Sequence, residues 1–316
     1  MTHALLFSPQ GSQAPGMGRE LAERSPAARD AYAEADATLG WSVSDTCWNG
    51  PAARLDDTRQ TQPCLLATSV AAERALGEAG VPAPAVVAGH SVGEYAALVA
   101  AGVIDFAAGL RLVAHRGLLM AEADAKGGMA AVIGLDRPVV EMVVERIARP
   151  TELVVANDNA PGQVVISGRR DALIDAEVAM RDAGARRVID LPVSGAFHSP
   201  LMGAVAERLA EAFESETWHD ATIPVVSNVT AEPMTDADRI RALLAEQVRS
   251  PVEWVAGVRR MVASGVDTMV ECGAGAALVG MVRRIAPEVR TGTVTDAETL
   301  AAAIALLQPV ASEARA

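Results

Sequence analysis

Residues 85–101 read AVVAGHSVGEYAALVAA, and this stretch predicts a strand, a sharp turn and a helix in succession. The apolar run Ala85–Ala88 is typical of a short buried strand, and the Ala-rich run Val92–Ala101 favours a helix. Between them, Gly89–Gly93 (GHSVG) satisfies the G-x-S-x-G pattern, in which a serine occupies the turn that joins a strand to a helix. A strand that leads directly into a helix is the repeating unit of an α/β sheet, so this stretch indicates the fold class.

Ser91 is the candidate nucleophile of this turn. The flanking glycines leave room for the neighbouring backbone, and the free N–H groups at the start of the helix favour a negatively charged oxygen. His90 directly precedes the serine, but adjacent side chains diverge at such a turn, so lining the pocket fits it better than acting as general base. Glu94 lies in the first helical turn, where the helix dipole stabilises a carboxylate without any catalytic role. In an Ala- and Gly-rich chain the five-residue pattern can also arise by chance.

The rest of the chain alternates strands with helices. Further strands are predicted at Ala4–Phe7, Val225–Ser227 and Thr268–Glu271, and a helix is predicted at Leu65–Ala79. The first strand leads into a Gln- and Gly-rich loop at Pro9–Gly18. Strands that alternate with helices indicate a parallel sheet covered on both faces. The expected fold is therefore α/β, with a hydrolase-like parallel sheet in the larger domain.

The middle of the chain has a different order of elements, which matches a ferredoxin-like βαββαβ unit. Pro161-Gly162 supplies the turn between the two middle strands. We therefore expect a small ferredoxin-like domain at residues 127–196, inserted into an α/β domain formed by residues 1–126 and 197–316. The predicted elements of the insertion are, in order, Met129–Gly134, Pro138–Ile147, Leu153–Asn157, Gln163–Ser167, Arg170–Ala183 and Arg186–Leu191.

Composition and charge exclude several classes of function. Half of the 316 residues are hydrophobic, which is enough for a large packed core. The formal net charge of -13 argues against general nucleic-acid binding and against adsorption to anionic lipid, because both need clustered positive charge. No apolar run approaches the roughly 18 residues of a membrane span, and the N-terminal residues do not resemble a signal peptide, so a cytoplasmic protein without membrane contact is expected. The three cysteines, Cys47, Cys64 and Cys272, predict neither a disulfide framework nor a metal site.

The segment Gly89–Leu98 (GHSVGEYAAL) resembles the signature of malonyl-CoA:acyl-carrier-protein transacylases and related polyketide-synthase acyltransferases. Further blocks resemble the same family in the family's order, and the likeness covers nearly all of residues 4–286. These blocks are Gln10–Gln13 (QGSQ), His115–Gly117 (HRG), Asn157–Asn159 (NDN), Gln163–Gly168 (QVVISG), Gly195–Ser199 (GAFHS), Gln247–Val252 (QVRSPV) and Glu271–Gly275 (ECGAG). So many blocks in one order make coincidence negligible.

The resemblance implies a catalytic pair. Ser91 matches the nucleophile that carries the acyl ester, and His198 matches the base that takes its proton and later returns one to the leaving thiol. The family has no third carboxylate, and a backbone carbonyl near the position of Gln247 holds the imidazole. The oxyanion hole of the family is formed by the backbone N–H groups at the positions of Gln10 and Val92.

The resemblance also implies the acyl pocket. Arg116 corresponds to the arginine that binds the malonyl carboxylate, a task that suits a guanidinium because its planar fork pairs with a carboxylate through two hydrogen bonds. Phe197 fits the malonyl-type pattern, in which a bulky ring crowds the position of an α-substituent. His90, Asn157 and Gln247 are also expected on the substrate-binding side. From the residues alone, a surface or core-bridging arginine and an ordinary core phenylalanine are the alternatives.

Two departures from the family's pattern concern the same pocket. The family usually has Pro-Gly ahead of the first glutamine, whereas this chain has Ser8-Pro9. Because proline lacks an N–H and fixes φ, the oxyanion loop can be shaped differently here. Gly195-Ala196 is not the commonest pair before Phe-His, which leaves the width of the acyl pocket open.

The reaction implied by the resemblance is ping-pong transfer of malonyl from coenzyme A to the phosphopantetheine thiol of an acyl carrier protein, in fatty-acid or polyketide synthesis. Malonyl-CoA is the expected substrate, no metal or redox cofactor is expected, and the chain is expected to act as a monomer. Carrier proteins of this kind are generally acidic, so a basic patch is expected at the cleft mouth, with the candidates Arg169, Arg170, Arg186, Arg187, Arg283 and Arg284. Three alternatives stay open: an acyl-thioester hydrolase, a relative that moves a larger acyl group or works from carrier to carrier, and an inactive scaffold that docks carriers.

Overall fold

The computed structural model describes residues 2–123, 126–147 and 152–308. The strands are β1 (His3–Phe7), β2 (Val86–Gly89), β3 (Gly127–Ile133), β4 (Leu153–Ala160), β5 (Gln163–Arg169), β6 (Arg187–Asp190), β7 (Val225–Val226), β8 (Pro233–Met234), β9 (Thr268–Cys272) and β10 (Arg290–Val294). The helices are α1 (Arg19–Arg24), α2 (Pro26–Leu39), α3 (Val43–Asn49), α4 (Ala52–Leu55), α5 (Thr58–Glu78), α6 (Gly93–Ala100), α7 (Phe106–Glu122), α8 (Arg137–Ile147), α9 (Arg170–Asp182), α10 (Gly203–Phe213), α11 (Ala237–Gln247), α12 (Trp254–Ala263), α13 (Ala277–Ile285) and α14 (Ala297–Leu307). None of these helices is long and apolar enough to cross a membrane, and the described residues contain no group of three or more His, Cys, Asp or Glu side chains that could hold a metal ion.

The larger sheet has the strand order β10-β9-β1-β2-β7-β8. The strands from β10 to β7 pair in parallel, whereas β8 forms a short antiparallel hairpin with β7 at one edge. Every residue of β1, β2 and β9 is buried, which is typical of strands covered by helices on both faces. The prediction of an α/β fold with a parallel sheet is confirmed, and the antiparallel edge strand is an addition that the sequence analysis missed.

The carboxyl ends of β1, β2 and β9 meet at one edge of this sheet. The register pairs Phe7 with Gly89 on one side and with Cys272 on the other, so the three strands end level with one another. Loops that follow adjacent parallel strands share one crevice, which is where open α/β sheets bind ligands. The loop that carries Gln10 and the turn that carries Ser91 therefore lie side by side.

The smaller sheet is antiparallel and has the strand order β4-β5-β3-β6. Its helices α8 and α9 supply a separate apolar core, which includes Val140 and Ala176 packed with Val132 and Ile166 of the sheet. The element order βαββαβ is the ferredoxin-like unit that the sequence predicts. The domain boundaries drawn from the sequence stay a prediction, and residues 309–316 lie outside the described part of the chain.

The edge strand β4 joins the smaller sheet to the larger unit. The Val252 N–H donates to the Ala156 carbonyl (2.8 Å), and the Asp158 N–H donates to the Val252 carbonyl (3.1 Å). Asn157 forms a parallel bridge with Val252 between these two hydrogen bonds. Backbone hydrogen bonds between β4 and the segment that follows α11 thus connect the two units. This connection places the smaller sheet over the crevice.

The predicted boundaries differ most where a local signal is misleading. Helix α5 begins at Thr58, seven residues before the predicted start at Leu65, because Asp57 caps it and Pro63 is accommodated inside it. Because proline lacks an N–H, it is usually found near the start of a helix. In α5 the first turn lies before Pro63, so the proline does not mark the start. Strand β10 has a central glycine and only one buried residue, Val294, which leaves it without the apolar run that marks the other parallel strands.

Candidate active site

Ser91 occupies the sharp turn between β2 and α6, with a left-handed backbone conformation (φ 53°). Gly89 and Gly93 are required by the close approach of the backbone at this turn. A Cβ atom on Gly93 would lie 2.2 Å from the Phe7 carbonyl oxygen, and one on Gly89 would lie 1.9 Å from the Gly93 carbonyl carbon. The strain at a non-glycine residue with positive φ costs about 1–3 kcal/mol and is a frequent mark of functional sites.

His198 meets Ser91 from the far side of the crevice, with its Nε2 atom 2.8 Å from the Ser91 Oγ. The other ring nitrogen, Nδ1, lies 2.9 Å from the Gln247 carbonyl and 3.2 Å from the Ser250 carbonyl. Both partners of Nδ1 only accept hydrogen bonds, so this nitrogen carries the proton and Nε2 accepts from the serine hydroxyl. Burial and the nearby Arg116 charge lower the pKa of His198 to about 3, which keeps the imidazole neutral.

Backbone carbonyls at the carboxyl end of helix α11 and just after it, rather than a carboxylate, contact the His198 ring. Gln247 is the last residue of this helix. The backbone N–H of His198 donates to the carbonyl of the next residue, Val248 (2.8 Å). Carbonyls at the end of a helix lack intrahelical partners and carry the negative end of the helix dipole. Their position against the ring fixes its tautomer and would stabilise an imidazolium at this place.

Arg116 lies on α7 behind the serine and is only 1% exposed. Its Nη2 atom donates to the Ser91 Oγ (3.2 Å) and to the Gln247 Oε1 (3.0 Å), and its Nη1 atom donates to the Gln62 Oε1 (2.9 Å). Burial lowers the pKa of Arg116, and no carboxylate of the described residues forms an ion pair with it. A buried guanidinium whose direct partners are all neutral is well suited to pair with an anionic group of a bound molecule.

A polar network behind the serine fixes the turn. The Gln247 amide donates to the Ser91 carbonyl (2.9 Å) and to the Glu94 Oε2 (2.6 Å), and burial raises the pKa of Glu94 to about 7. The Asn228 side chain accepts from the Ser91 N–H (2.7 Å) and donates to the Gly89 carbonyl (2.6 Å). The Ser91 N–H, the Ser91 carbonyl and the Gly89 carbonyl are therefore each held by a side chain from a distant part of the chain.

Gln10 and Val92 present the candidate oxyanion donors. Gln10 lies in a turn closed by the Ser12 N–H and the Pro9 carbonyl (3.3 Å), with Gly11 at a positive φ of 99°. Neither the Gln10 N–H nor the Val92 N–H donates to a protein acceptor within the described part of the chain. In the Ser8-Pro9 pair, which departs from the family's pattern, the residue without an N–H is Pro9. Gln10 therefore keeps the N–H group that is the candidate oxyanion donor.

A cavity of about 280 Å³ opens onto the Ser91 and His198 side chains. Phe197, which is 3% exposed, and Asn157 form part of its wall. Its other wall residues include Gln10, His90, Met120, Met129 and Val193. Arg116 and Gln247 lie behind the serine rather than in this wall, so an acyl group would reach the guanidinium next to the Ser91 Oγ.

His90 is a neutral wall residue and does not contact the serine hydroxyl. Its Nε2 atom lies 2.8 Å from the Asn159 Oδ1, and its ring packs at 5.5 Å against the ring of Trp254. Burial lowers the pKa of His90 to about 4. This position is the pocket-lining one expected from the sequence, and any contact of His90 with a substrate stays a prediction.

The structure brings together the residues that the sequence singled out, although their roles in catalysis and binding stay predictions. Gln62 and Asn228 were missed. Asn228 follows the parallel strand β7, and a polar residue at the carboxyl end of such a strand is a usable signal. Gln62 is fully buried but follows the polar residues Thr58–Thr61 at the start of α5, so the local sequence carries no signal that separates it from its exposed neighbours.

The acyl transferase domain family matches residues 4–305. The chain belongs to this family. Malonyl CoA-acyl carrier protein transacylase of Escherichia coli (strain K12) is 42% identical over 305 residues, which cover 96% of this chain and 99% of that protein. The protein of the same name from Bacillus subtilis (strain 168) is 42% identical over 308 residues, 96% of this chain and 97% of that protein. In a solved structure of a type II PKS acyl-carrier protein in complex with its malonyl-transacylase, one chain is 39% identical and superimposes with a TM-score of 0.93, over 97% of this chain and 100% of that chain.

Proposed function

We propose that this protein transfers a malonyl group from coenzyme A to the phosphopantetheine thiol of an acyl carrier protein through an ester on Ser91, for fatty-acid or polyketide synthesis. The proposal rests on one observation. The Ser91 Oγ lies 2.8 Å from the His198 Nε2 and 3.2 Å from the Arg116 Nη2, so nucleophile, base and anion-binding group meet at one atom. Family membership and the names of the relatives support the same reaction.

In the first half-reaction, His198 takes the proton of Ser91 as the Oγ attacks the thioester carbonyl. The negative charge that develops on the carbonyl oxygen is stabilised by the N–H groups of Gln10 and Val92. The carbon–sulfur bond then breaks, and the coenzyme A thiol leaves with the proton held by His198. The malonyl group remains as an ester on the serine.

In the second half-reaction, the phosphopantetheine thiol occupies the place that coenzyme A has left. His198 takes the thiol proton as the sulfur attacks the ester carbonyl, and the same two N–H groups stabilise the oxyanion. The ester bond breaks, the Ser91 Oγ regains its proton from the imidazolium, and the malonyl thioester leaves on the carrier. This scheme needs no metal or redox cofactor, since a serine, an imidazole and two N–H groups supply each step.

Arg116 supplies the selectivity for a dicarboxylic acyl group. The terminal carboxylate of malonyl can accept two hydrogen bonds from the guanidinium, whereas acetyl would leave the buried charge with neutral hydrogen-bond partners only. Phe197 crowds the wall of the same cavity, which disfavours a substituent on the α-carbon. Malonyl-CoA is therefore the proposed donor in preference to acetyl-CoA and methylmalonyl-CoA.

We also propose that the acidic carrier docks on four exposed arginines, Arg186, Arg187, Arg283 and Arg284. Arg284 on α13 donates to the Gln163 Oε1 (2.7 Å), and a Cβ on Gly162 would lie 3.7 Å from its Nη2 and 3.9 Å from the Gly134 Cα. A Cβ on Gly134 would lie 2.9 Å from the Arg186 Cγ. Arg284 of the larger unit and Arg186 of the smaller unit therefore lie next to the same pair of turns, at Gly162 and Gly134. All proposed groups come from one chain, which supports action as a monomer.

The test is the intact mass of the protein after separate exposure to malonyl-CoA, methylmalonyl-CoA and acetyl-CoA, with Ser91→Ala as the control. The expected result is a malonyl adduct on the native protein, little of the other two adducts, and none on the variant. An acetyl adduct that forms as readily as the malonyl adduct would contradict the role of Arg116. A malonyl adduct that persists on Ser91→Ala would contradict the serine ester.

A further inference from the structure

Glu271 is a fully buried carboxylate at the end of β9, outside the groups used in the reaction above. Its Oε2 atom accepts from the N–H groups of Leu278 (2.9 Å) and Val279 (3.0 Å) in the first turn of α13. Its Oε1 atom accepts from the hydroxyl of Ser8 (2.9 Å). The carboxylate therefore ties the start of one helix to the residue that follows β1.

Ser8 is also fully buried and is held on two sides. Its N–H donates to the Cys272 carbonyl (3.4 Å), and its hydroxyl donates to Glu271. A Cβ on Gly273 would lie 2.4 Å from the Ser8 Oγ, so the glycine at this position leaves the space that the hydroxyl fills. Because the family usually has proline at the position of Ser8, this hydroxyl is a feature of this chain.

Ser8 lies two residues before Gln10, whose N–H is a proposed oxyanion donor. Pro9, with its fixed φ, begins the turn that contains Gln10 and is closed by the Ser12 N–H. On the outer side, this turn is held by a longer hydrogen bond from the Gln10 Nε2 to the Thr58 Oγ1 (3.3 Å). Gln13 adds two exposed contacts, since its Oε1 accepts from the Gly11 N–H (2.7 Å) and its Nε2 donates to the Asp56 Oδ1 (3.3 Å). The buried bond to a carboxylate is on the Ser8 side, which makes that side the stronger anchor of the turn.

We propose that Ser8 and Glu271 are positioning residues for the oxyanion hole, an inference that rests on the proposed transfer reaction. The pair holds the Pro9–Ser12 turn against β9 and α13 and thereby fixes the Gln10 N–H relative to the Val92 N–H. Removing an oxyanion donor outright lowers kcat about 10²–10³-fold, and catalytic groups must be held within about 0.5 Å of their productive positions. A displaced donor should therefore lower the rate of acylation about tenfold while malonyl-CoA binding, which depends on other groups, is unchanged.

The test compares Ser8→Ala with the matched control Ser69→Ala. Ser69 is a buried serine whose hydroxyl has no hydrogen-bond partner, and it also faces Gly273: a Cβ there would lie 2.9 Å from the Ser69 Oγ. Two quantities are measured at about pH 8, above the pKa of about 7 to which burial raises the Glu271 carboxyl. The first is the single-turnover rate of acylation as a function of malonyl-CoA concentration. The second is the infrared carbonyl stretch of the malonyl ester on Ser91, labelled with ¹³C, which reports the hydrogen bonds to the ester oxygen.

Ser8→Ala is expected to lower the limiting acylation rate about tenfold relative to Ser69→Ala, to leave the half-saturating malonyl-CoA concentration unchanged, and to move the carbonyl stretch to higher frequency. A rate and a stretch that equal those of Ser69→Ala would overturn the proposal, because Glu271 would then only cap α13. Should Ser8→Ala not fold, Ser8→Cys keeps the shape of the side chain with a somewhat larger atom and weakens the donor, and the same shifts with smaller size are expected. No shift in Ser8→Cys would also overturn the proposal. Absence of any malonyl adduct on the native protein would instead contradict the proposed function itself.

Discussion

Replacing Arg116 with alanine tests the basis of acyl selectivity. The guanidinium is 1% exposed and is bound by the neutral side chains of Gln62, Gln247 and Ser91, so a malonyl carboxylate would be its first direct counter-ion. Removing one partner of a buried ion pair costs about 3–5 kcal/mol, and each 1.4 kcal/mol corresponds to a factor of about ten. The value of kcat/KM for malonyl-CoA should therefore fall roughly 10²–10⁴-fold in Arg116→Ala.

Acetyl-CoA supplies the internal comparison in the same assay. It has no terminal carboxylate, and the variant no longer buries an uncompensated charge beside it, so the ratio of malonyl to acetyl transfer should fall at least about a hundredfold. Transfer is followed as the appearance of acylated carrier by mass spectrometry. Arg111→Ala is the matched control, because Arg111 lies on the same helix, is half-exposed and pairs with Glu216 away from Ser91.

Two results would refute this reasoning. If malonyl and acetyl transfer fell by the same factor in Arg116→Ala, the guanidinium would support the fold of the site rather than the acyl carboxylate. If malonyl transfer fell no further than in Arg111→Ala, the buried charge would have no part in binding. Arg116→Lys should give an intermediate loss, since an ammonium keeps the charge but lacks the planar fork.

Three further predictions concern other parts of the site. The pKa of His198 is lowered to about 3 from an ordinary value of 6.5, so kcat/KM for acylation should not fall continuously below about pH 6.5. Titration of the Glu94 and Glu271 carboxyls near pH 7 should give only a step that levels off by about pH 5, whereas a continued tenfold loss per unit would mean that the base titrates normally. Phe197→Ala should widen the cavity wall, and the methylmalonyl adduct should rise relative to the malonyl adduct in intact-mass spectra; an unchanged ratio would assign the selectivity to another residue. Arg186→Glu with Arg187→Glu should raise the half-saturating carrier concentration about tenfold without changing acylation by malonyl-CoA, while the exposed Arg181→Glu on α9 serves as control; equal effects of the two would place the docking surface elsewhere.

The local pattern around Ser91 was sufficient to predict the nucleophile turn and the fold class. A strand that turns into a helix at a serine needs glycines where the backbone crosses, and the close approaches at Gly89 and Gly93 show why this requirement is visible in the sequence. The ferredoxin-like unit was predictable for a related reason. Its strands and helices follow one another in short segments, and Pro161-Gly162 marks the hairpin between β4 and β5.

The contacts that complete the site were not visible in the local sequence. Asn228 binds the Ser91 N–H from 137 residues away, and Gln62 binds Arg116 from 54 residues away. A polar side chain buried by tertiary packing has no periodic or turn signal of its own, so only its place at a strand end or on an apolar helix face indicates it. Strand β10 was missed for the same reason, because the sheet and not an apolar run determines its conformation.

The most direct test of the account follows the malonyl group itself. The malonyl-protein is isolated free of coenzyme A and then incubated either with a phosphopantetheinylated acyl carrier protein or in buffer alone, and both proteins are weighed by mass spectrometry over time. The malonyl group is expected to move to the carrier thiol in the first sample and to stay on the protein in the second. It is expected never to appear on Ser91→Ala. Loss of the malonyl group at the same rate in both samples, without acylated carrier, would show a hydrolase and contradict the transfer.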